Sequence, residues 1–319
     1  MIDGTPLLFW PPLGQRLSIL IFHRVLERRD PLRPNEPTAA DFERMMAFFA
    51  RHFVVLPLRE ATQRLRNGTL PKRACCITFD DGYADNLTIA LPILEKYDLP
   101  ATVFVATGYL DGGRMFNDAV IDAMAKVGES SIDLTKIGLG RHSLATEEER
   151  LLAVTRILNV LRYREPEQRN EDVARLLEIA HCGALPDNIM LTSAQVAELD
   201  RRGVEIGGHT VNHPILTSLD DDRARAEIVE GKRRLEEIVG HAVTAFAYPN
   251  GVPLRDYVRQ HVDMVRSSGF EISVTTAHGV ARRGSDVFQL PRFTPWGTST
   301  LKWGARMTVN AWNGKAVTC

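Results

Sequence analysis

A chain of 319 residues with 44% hydrophobic and 25% charged residues has enough apolar material to bury a sizeable core, which excludes a disordered polymer. Its 39 basic residues balance 40 acidic ones for a formal net charge of −1, which excludes the basic footprint of a nucleic-acid binder and makes an uncharged substrate easier to accommodate. No run approaches the roughly 18 to 20 apolar residues of a transmembrane helix.

In chain order, the first apolar stretch, residues 7–13, has no Lys or Arg before it and is broken by two prolines. It does not read as a signal peptide, and the expected address is cytoplasmic. Residues 17–22 (LSILIF) predict a buried strand that ends at His23. Residues 39–52 place Phe42, Met45, Met46 and Phe49 at helical spacing, and a short β run at 54–56 and a helix over 58–66 follow. Residues 74–79 (ACCITF) predict a second buried strand, stopped by Asp80-Asp81-Gly82. Cys75 and Cys76 are adjacent there, which is poor geometry for a disulfide framework, so they, Cys182 and Cys319 read as reduced thiols. A helix is expected over 84–97 despite Pro92, then a strand over 101–107.

From about 110 to 199 the pattern turns polar and mostly helical, with helices at 147–161 and 171–180, and reads as an insertion packed beside the sheet. The β pattern resumes at 203–208 and leads into His209. A long amphipathic helix over about 219–239 follows, with Ser218 as its expected N-cap and Gly240 as its stop. Strands are expected at 245–248, 272–275 and 287–293. Strands alternating with helices point to βα units, and the absence of a repeat or low-complexity linker favours one domain over 1–319.

Two clusters can carry chemistry. His209 and His213 are four residues apart, a spacing that puts two imidazoles on one face of a helical turn, where they can grip a divalent cation; the alternative is a pair of hydrogen-bonded loop histidines. Asp80 and Asp81 are adjacent carboxylates at a strand end, which repel unless a cation or strong donors separate their roles; the alternative is a helix cap or Asx-turn. Asp81 could serve as a third metal ligand.

Thr78-Phe79-Asp80-Asp81-Gly82, together with Glu205-Ile-Gly-Gly208 and His209-Thr-Val-Asn-His213-Pro214, resembles the polysaccharide deacetylase family, also called NodB-like or carbohydrate esterase family four. The resemblance extends through Ala101-Thr-Val-Phe-Val105, the helix around Glu227 and Lys232, Phe246-Ala-Tyr-Pro-Asn-Gly251 and Leu290-Pro-Arg292. It implies a deformed (β/α) barrel of the NodB-homology type, with the site at the C-terminal strand ends. It also implies Asp80 as catalytic base, Asp81, His209 and His213 as metal ligands, and Asn250 at the oxyanion position. The implied cation is zinc, with cobalt, nickel, manganese or iron(II) as alternatives. The implied substrate is an N-acetylated amino sugar of a polysaccharide; the expected cytoplasmic address adds its lipid-linked precursor.

Two departures stand out. Where the family's commonest pattern has a C-terminal L-x-H whose histidine is the general acid, this chain has Leu301-Lys302-Trp303. The exopolysaccharide-associated branch instead carries a histidine after the first strand, which His23 matches; His278 is a weaker candidate. The usual arginine two residues before the motif proline is Ala247, and Arg292 could supply that charge from a neighbouring strand or be a surface arginine. Tyr83, Tyr248, Trp296 and Trp303 are candidates for a sugar groove. The rival readings are a barrel that binds carbohydrate without turnover and an amidohydrolase acting on a small non-sugar amide.

Overall fold

The first apolar run is β1 (Arg16–Phe22), buried from Leu17 onward. It is followed by α1 (Ala39–His52), β2 (Val54–Val55), α2 (Leu58–Asn67) and β3 (Ala74–Phe79), the last buried along its whole length. Continuous burial marks strands covered on both faces. β1 and β3 pair in parallel from Leu17 opposite Ala74 to Phe22 opposite Phe79, so His23 and Asp80 leave the sheet at the same edge. The structure, a computed structural model, describes residues 15–295, 297, 299–312 and 316–319; the 7–13 stretch and Trp296 lie outside them.

After β3 the chain forms a π-helical segment over Asn86–Ala90 and then α3 (Leu91–Lys96), where one regular helix is expected. Pro92 stands in the first turn of α3, and the widened turn before it accommodates a residue that lacks an N–H. β4 (Thr102–Val105) comes next. The excursion then comprises α4 (Phe116–Lys126), an antiparallel hairpin of β5 (Ser131–Leu134) and β6 (Gly140–Ser143), α5 (Glu147–Leu161) and α6 (Pro166–Ile179). The hairpin is absent from the helical expectation because its four-residue strands are mostly polar, and β5 buries only Ile132 and Leu134. These elements share a core of their own, including Val120, Ile132, Leu144, Ile157 and Leu176.

α7 (Ser193–Arg201) sends Val196 and Leu199 into the main core. Beyond it come β7 (Glu205–Gly208), α8 (Asp221–Val239), β8 (Ala245–Ala247), α9 (Arg259–Ser267), β9 (Ile272–His278), β10 (Ala281–Arg282), β11 (Leu290–Arg292) and α10 (Thr300–Trp312). α8 is capped by Asp220, whose side chain accepts from Arg223 N at 2.9 Å, and not by Ser218, which ends a separate 3-10 turn.

Strand order is β10-β1-β3-β4-β7-β8-β9-β11, with β2 also on β3. In this sheet every pairing among the described strands is parallel except that of β10 with β1. Beyond β11, Phe293 N donates to Ile19 O at 2.8 Å and Ile21 N to Phe293 O at 3.2 Å, which draws the last strand onto the first. The sheet is therefore a nearly closed, deformed (β/α) barrel. Alternate residues of β1 serve different cores. Leu17 and Ile19 join Cys76, Phe104, Ala247 and Leu290, together with Leu58, Ala61 and Leu65 of α2; Leu20 and Phe22 pack outward with Phe42 and Phe79. All four cysteines are free thiols. Among the described residues, no helix is long and apolar enough to cross a membrane.

Candidate active site

Four strand ends supply the site. β3 delivers Asp80 and Asp81, β7 delivers the loop from His209 to His213, β1 delivers His23, and β11 contributes Arg292. The turn after β3 is tight: Asp81 has φ 77° and Gly82 φ 86°. At Gly82 a Cβ would also meet Val105 Cγ1 at 3.0 Å, so glycine is required twice over. A non-glycine residue in the left-handed region stores strain, a common feature of functional sites.

The histidines do not lie on a helical turn. Residues 209–213 form an irregular loop, with φ 66° at Thr210 and 51° at His213. Helix α8 pins this loop from one side, where Glu227 Oε2 accepts from Val211 N at 2.9 Å and Asn212 N at 2.8 Å, and Oε1 from Asn212 Nδ2 at 2.8 Å. Gly231 lets the helix come close; a Cβ there would sit 2.8 Å from the Thr210 carbonyl carbon. From the other side Gly108 N donates to Val211 O at 2.8 Å. The resemblance marked the helix around Glu227, but nothing in the sequence alone says that it anchors the loop.

This anchoring brings His209 Nε2 and His213 Nε2 each to 3.4 Å from Asp81 Oδ1. His209 Nδ1 lies 2.7 Å from Ala247 O. A carbonyl only accepts, so Nδ1 carries the proton and Nε2 offers its lone pair toward Asp81. Asp81 Oδ1 and His213 Nδ1 are buried with no hydrogen-bond partner. A carboxylate oxygen and imidazole nitrogens, converging within 4.8 Å of one another, are the donor set of a divalent cation, and the orphaned Asp81 oxygen fits one.

Electrostatics follow from burial and charge. Burial opposes ionisation of Asp81, but the imidazoles of His213, His209 and His23 around it together hold its carboxyl below the usual range. Burial pushes His213 down to about 3 despite Asp81, so it is neutral and able to ligate at physiological pH. A depressed histidine pKa means that the unfolded chain binds the proton more tightly. The metal-free protein should therefore be most stable above the ordinary imidazole value and lose stability as pH falls from there toward 3. Thermal melts across that range should flatten in His213→Gln, and an unchanged slope would assign the acid sensitivity elsewhere.

Asp80 lies beside this cluster and is held by Arg292, whose Nη1 and Nη2 donate to its two oxygens at 2.6 Å each. Arg292 also donates from Nε to Thr275 O at 2.9 Å and from Nη1 to Thr78 Oγ1 at 3.2 Å. It is 1% exposed, so it is no surface arginine. Burial would raise the Asp80 pKa, but Arg292 first and then His209 hold it low. Burial would lower the pKa of His23, but Asp81, Glu36 and Asp80 outweigh it, and the imidazole stays protonated above its ordinary range.

A cavity of about 330 Å³ is lined by His23, Glu36, Asp80, Asp81, His209, His213 and Asn250, and on the excursion's side by Phe116, Asn117, Leu158 and Arg162. Asn250 has φ 56°, and its backbone N–H has no backbone partner among the described residues. Tyr83 reaches this cavity, with its hydroxyl donating to Asp118 Oδ2 at 2.8 Å. Two other aromatic candidates do not. Tyr248 is fully buried and stacked on Tyr257 at 4.0 Å, and Trp303 is 1% exposed against Phe48. The Leu301-Lys302-Trp303 stretch therefore packs α10 onto the barrel. His278 is exposed at the end of β9, with its ring against Phe293. Glu36 and Arg162 have no motif around them and were missed.

A family model described as polysaccharide deacetylase matches residues 67–136 and 177–272, just over half of the chain. YxkH of Bacillus subtilis (strain 168), named as a polysaccharide deacetylase, is 23% identical over 279 residues, spanning 87% of this chain and 70% of YxkH. The poly-beta-1,6-N-acetyl-D-glucosamine N-deacetylase of Staphylococcus aureus (strain N315) is 36% identical over 79 residues, 24% of this chain and 27% of its own length. In fold, the Streptococcus pyogenes deacetylase PplD, solved in complex with acetate, superposes with a TM-score of 0.62 at 21% identity, over 92% of this chain and 99% of PplD. IcaB from Ammonifex degensii gives 0.60 at 19% identity, over 92% of this chain and 98% of IcaB.

Proposed function

The chain belongs to the polysaccharide deacetylase family, and we propose that it is a metal-dependent hydrolase that removes N-acetyl groups from amino-sugar residues of an exopolysaccharide or its lipid-linked precursor. The observation that carries this reading is the buried pair of Asp80 and Arg292 beside the convergent Asp81, His209 and His213. One carboxylate is committed to an arginine and the other to a cation position, which resolves their mutual repulsion into two roles. The S. aureus relative named for poly-beta-1,6-N-acetyl-D-glucosamine supports an exopolysaccharide substrate.

Asp81, His209 and His213 would hold the cation, with zinc favoured by the two imidazoles. When bound, it would polarise the amide carbonyl and acidify a water. Asp80, kept ionised and oriented by Arg292, takes the proton of the attacking water. Asn250, in the wall of the cavity, donates its backbone N–H to the developing oxyanion. His23, protonated by its acidic surroundings, gives its proton to the departing nitrogen, so the product leaves as an amine. Arg292 occupies the role that Ala247 leaves empty, which weakens the reading of a barrel without turnover.

Acetate release from N-acetylglucosamine oligomers, with bound metal quantified in the same sample, tests this proposal; metal at one ion per chain without acetate from any N-acetylated sugar would refute it. His23→Ala should keep its metal yet lower turnover about 100-fold or more. Undiminished turnover in that variant would remove His23 from the reaction.

A further inference from the structure

We infer that the excursion between β4 and β7 selects an anionic substrate, with Arg162 binding a negative group carried next to the reacting N-acetyl sugar. This rests on the deacetylase reading and names the substrate class of that same site. The near-zero charge of the chain favours an uncharged ligand, but Arg162 stands in the cavity wall without a carboxylate partner among the described residues.

Arg162 caps the C-terminus of α5 and lines the 330 Å³ cavity that holds Asp80, Asp81, His209 and His213. It also lines an adjoining cavity of about 230 Å³ beneath the segment that follows His23. Its Nε donates to Leu158 O at 3.3 Å, one turn back in its own helix. Among the described residues it makes no ion pair, and its two Nη groups have no partner.

The neighbouring arginines with structural tasks are different. Arg24 is paired with Asp85 and Asp118, Arg33 with Asp30, Asp118 and Asp122, Arg114 with Asp122, and Arg164 with Asp172. Five aspartates thus serve four arginines around Arg162, and none serves Arg162 itself.

A second cation repeats the pattern. Arg169 of α6 is 2% exposed and also lacks an ion pair among the described residues. Its guanidinium lies 4.4 Å from the ring centre of Phe116, which lines the same cavity, and its Nε is buried with no hydrogen-bond partner. Its Nη2 reaches Asn212 O at 3.5 Å, and Glu227 and Glu167 act on it only through space; a guanidinium withdrawn from water with no carboxylate in contact is costly in the free protein, and an incoming anion nearby would offset that cost. The carboxylates of the cavity do not supply it. Asp80 is held by Arg292, Asp81 belongs to the cation site, and Glu36 faces His23 as its charge partner while its Oε2 accepts from Arg24 N at 3.1 Å.

A planar guanidinium with free N–H groups matches a carboxylate or a phosphate through two parallel bonds. The anion is therefore a uronate carboxylate on an adjacent sugar or a phosphate attached to the reacting sugar. Both sources share one chemistry, and substrate choice separates them.

The test uses metal-loaded full-length enzyme and measures kcat and KM for acetate release from three substrates: oligosaccharides of alternating glucuronate and N-acetylglucosamine, N-acetylglucosamine 1-phosphate, and neutral N-acetylglucosamine oligomers. Wild-type enzyme should favour one of the anionic substrates by about tenfold or more in kcat/KM, mainly through KM and less so at high salt. Preference for the first identifies a uronate, and preference for the second identifies a phosphate. Arg162→Gln should lose most of that preference and Arg162→Lys should keep part of it, with melting temperature and bound metal confirming that both are folded. If either fails to fold, the salt dependence of the wild-type preference decides.

Equal or faster release from neutral oligomers, or a preference that survives Arg162→Gln, overturns the inference and leaves the deacetylase reading standing. No acetate from any of the three, with metal bound, overturns both.

Discussion

Asp80→Asn is expected to lower turnover by a factor of about 10³ or more while the protein still binds its metal, because the amide keeps the shape of the carboxylate but cannot take a proton and keeps only one of the two acceptors for Arg292. Asp80 is 3% exposed and both its oxygens accept from Arg292, so the substitution opens no space but removes one acceptor and leaves the guanidinium without its counter-charge. Asp81 follows directly in sequence but faces the two histidines instead, so metal content should separate the two aspartates cleanly. Acetate assays and metal analysis on the same preparation check both halves. Turnover within tenfold of wild type would mean that another group takes the proton.

Arg292→Met should be the more damaging change to stability. It leaves the Asp80 carboxylate buried with no opposing charge, a loss of about 3 to 5 kcal/mol in comparable buried pairs. It also removes the main influence that keeps Asp80 ionised, so the carboxyl should titrate higher and the variant should recover part of its activity as pH rises. The double variant Asp80→Asn, Arg292→Met should be more stable than Arg292→Met alone, since the unpaired charge is gone. Chemical denaturation of the three variants measures this, and a double variant no more stable than the single one would show that the cost lies in packing.

Much of the barrel was legible because its first strands are continuous apolar runs, and β1 and β3 keep their expected bounds within one residue. Periodicity also found α1, α5 and α8, whose buried residues recur at helical spacing. It failed where local pattern and tertiary packing part company. The hairpin of β5 and β6 is too short and polar to announce itself, and α10 presents Leu301, Val309 and Trp312 to solvent beside its buried Trp303, which obscures a simple amphipathic face. The residues at the cation position were legible as adjacent carboxylates and paired histidines, but the helical turn assumed for the histidines was wrong. Their convergence depends on positive φ angles and on Glu227, neither of which leaves a local signature. Arg292 was legible only as a possibility, because its partner Asp80 lies 212 residues away in the chain.

If Asp81, His209 and His213 hold one catalytic cation beside Asp80, metal and activity are inseparable. Stripping the protein with a chelator, titrating a divalent metal back, and following bound metal and acetate release together tests this. Both should rise in parallel to saturate at one ion per chain, and neither should return in His209→Ala or Asp81→Ala. Acetate release that persists at full rate in the stripped protein, with no metal detectable, would contradict it.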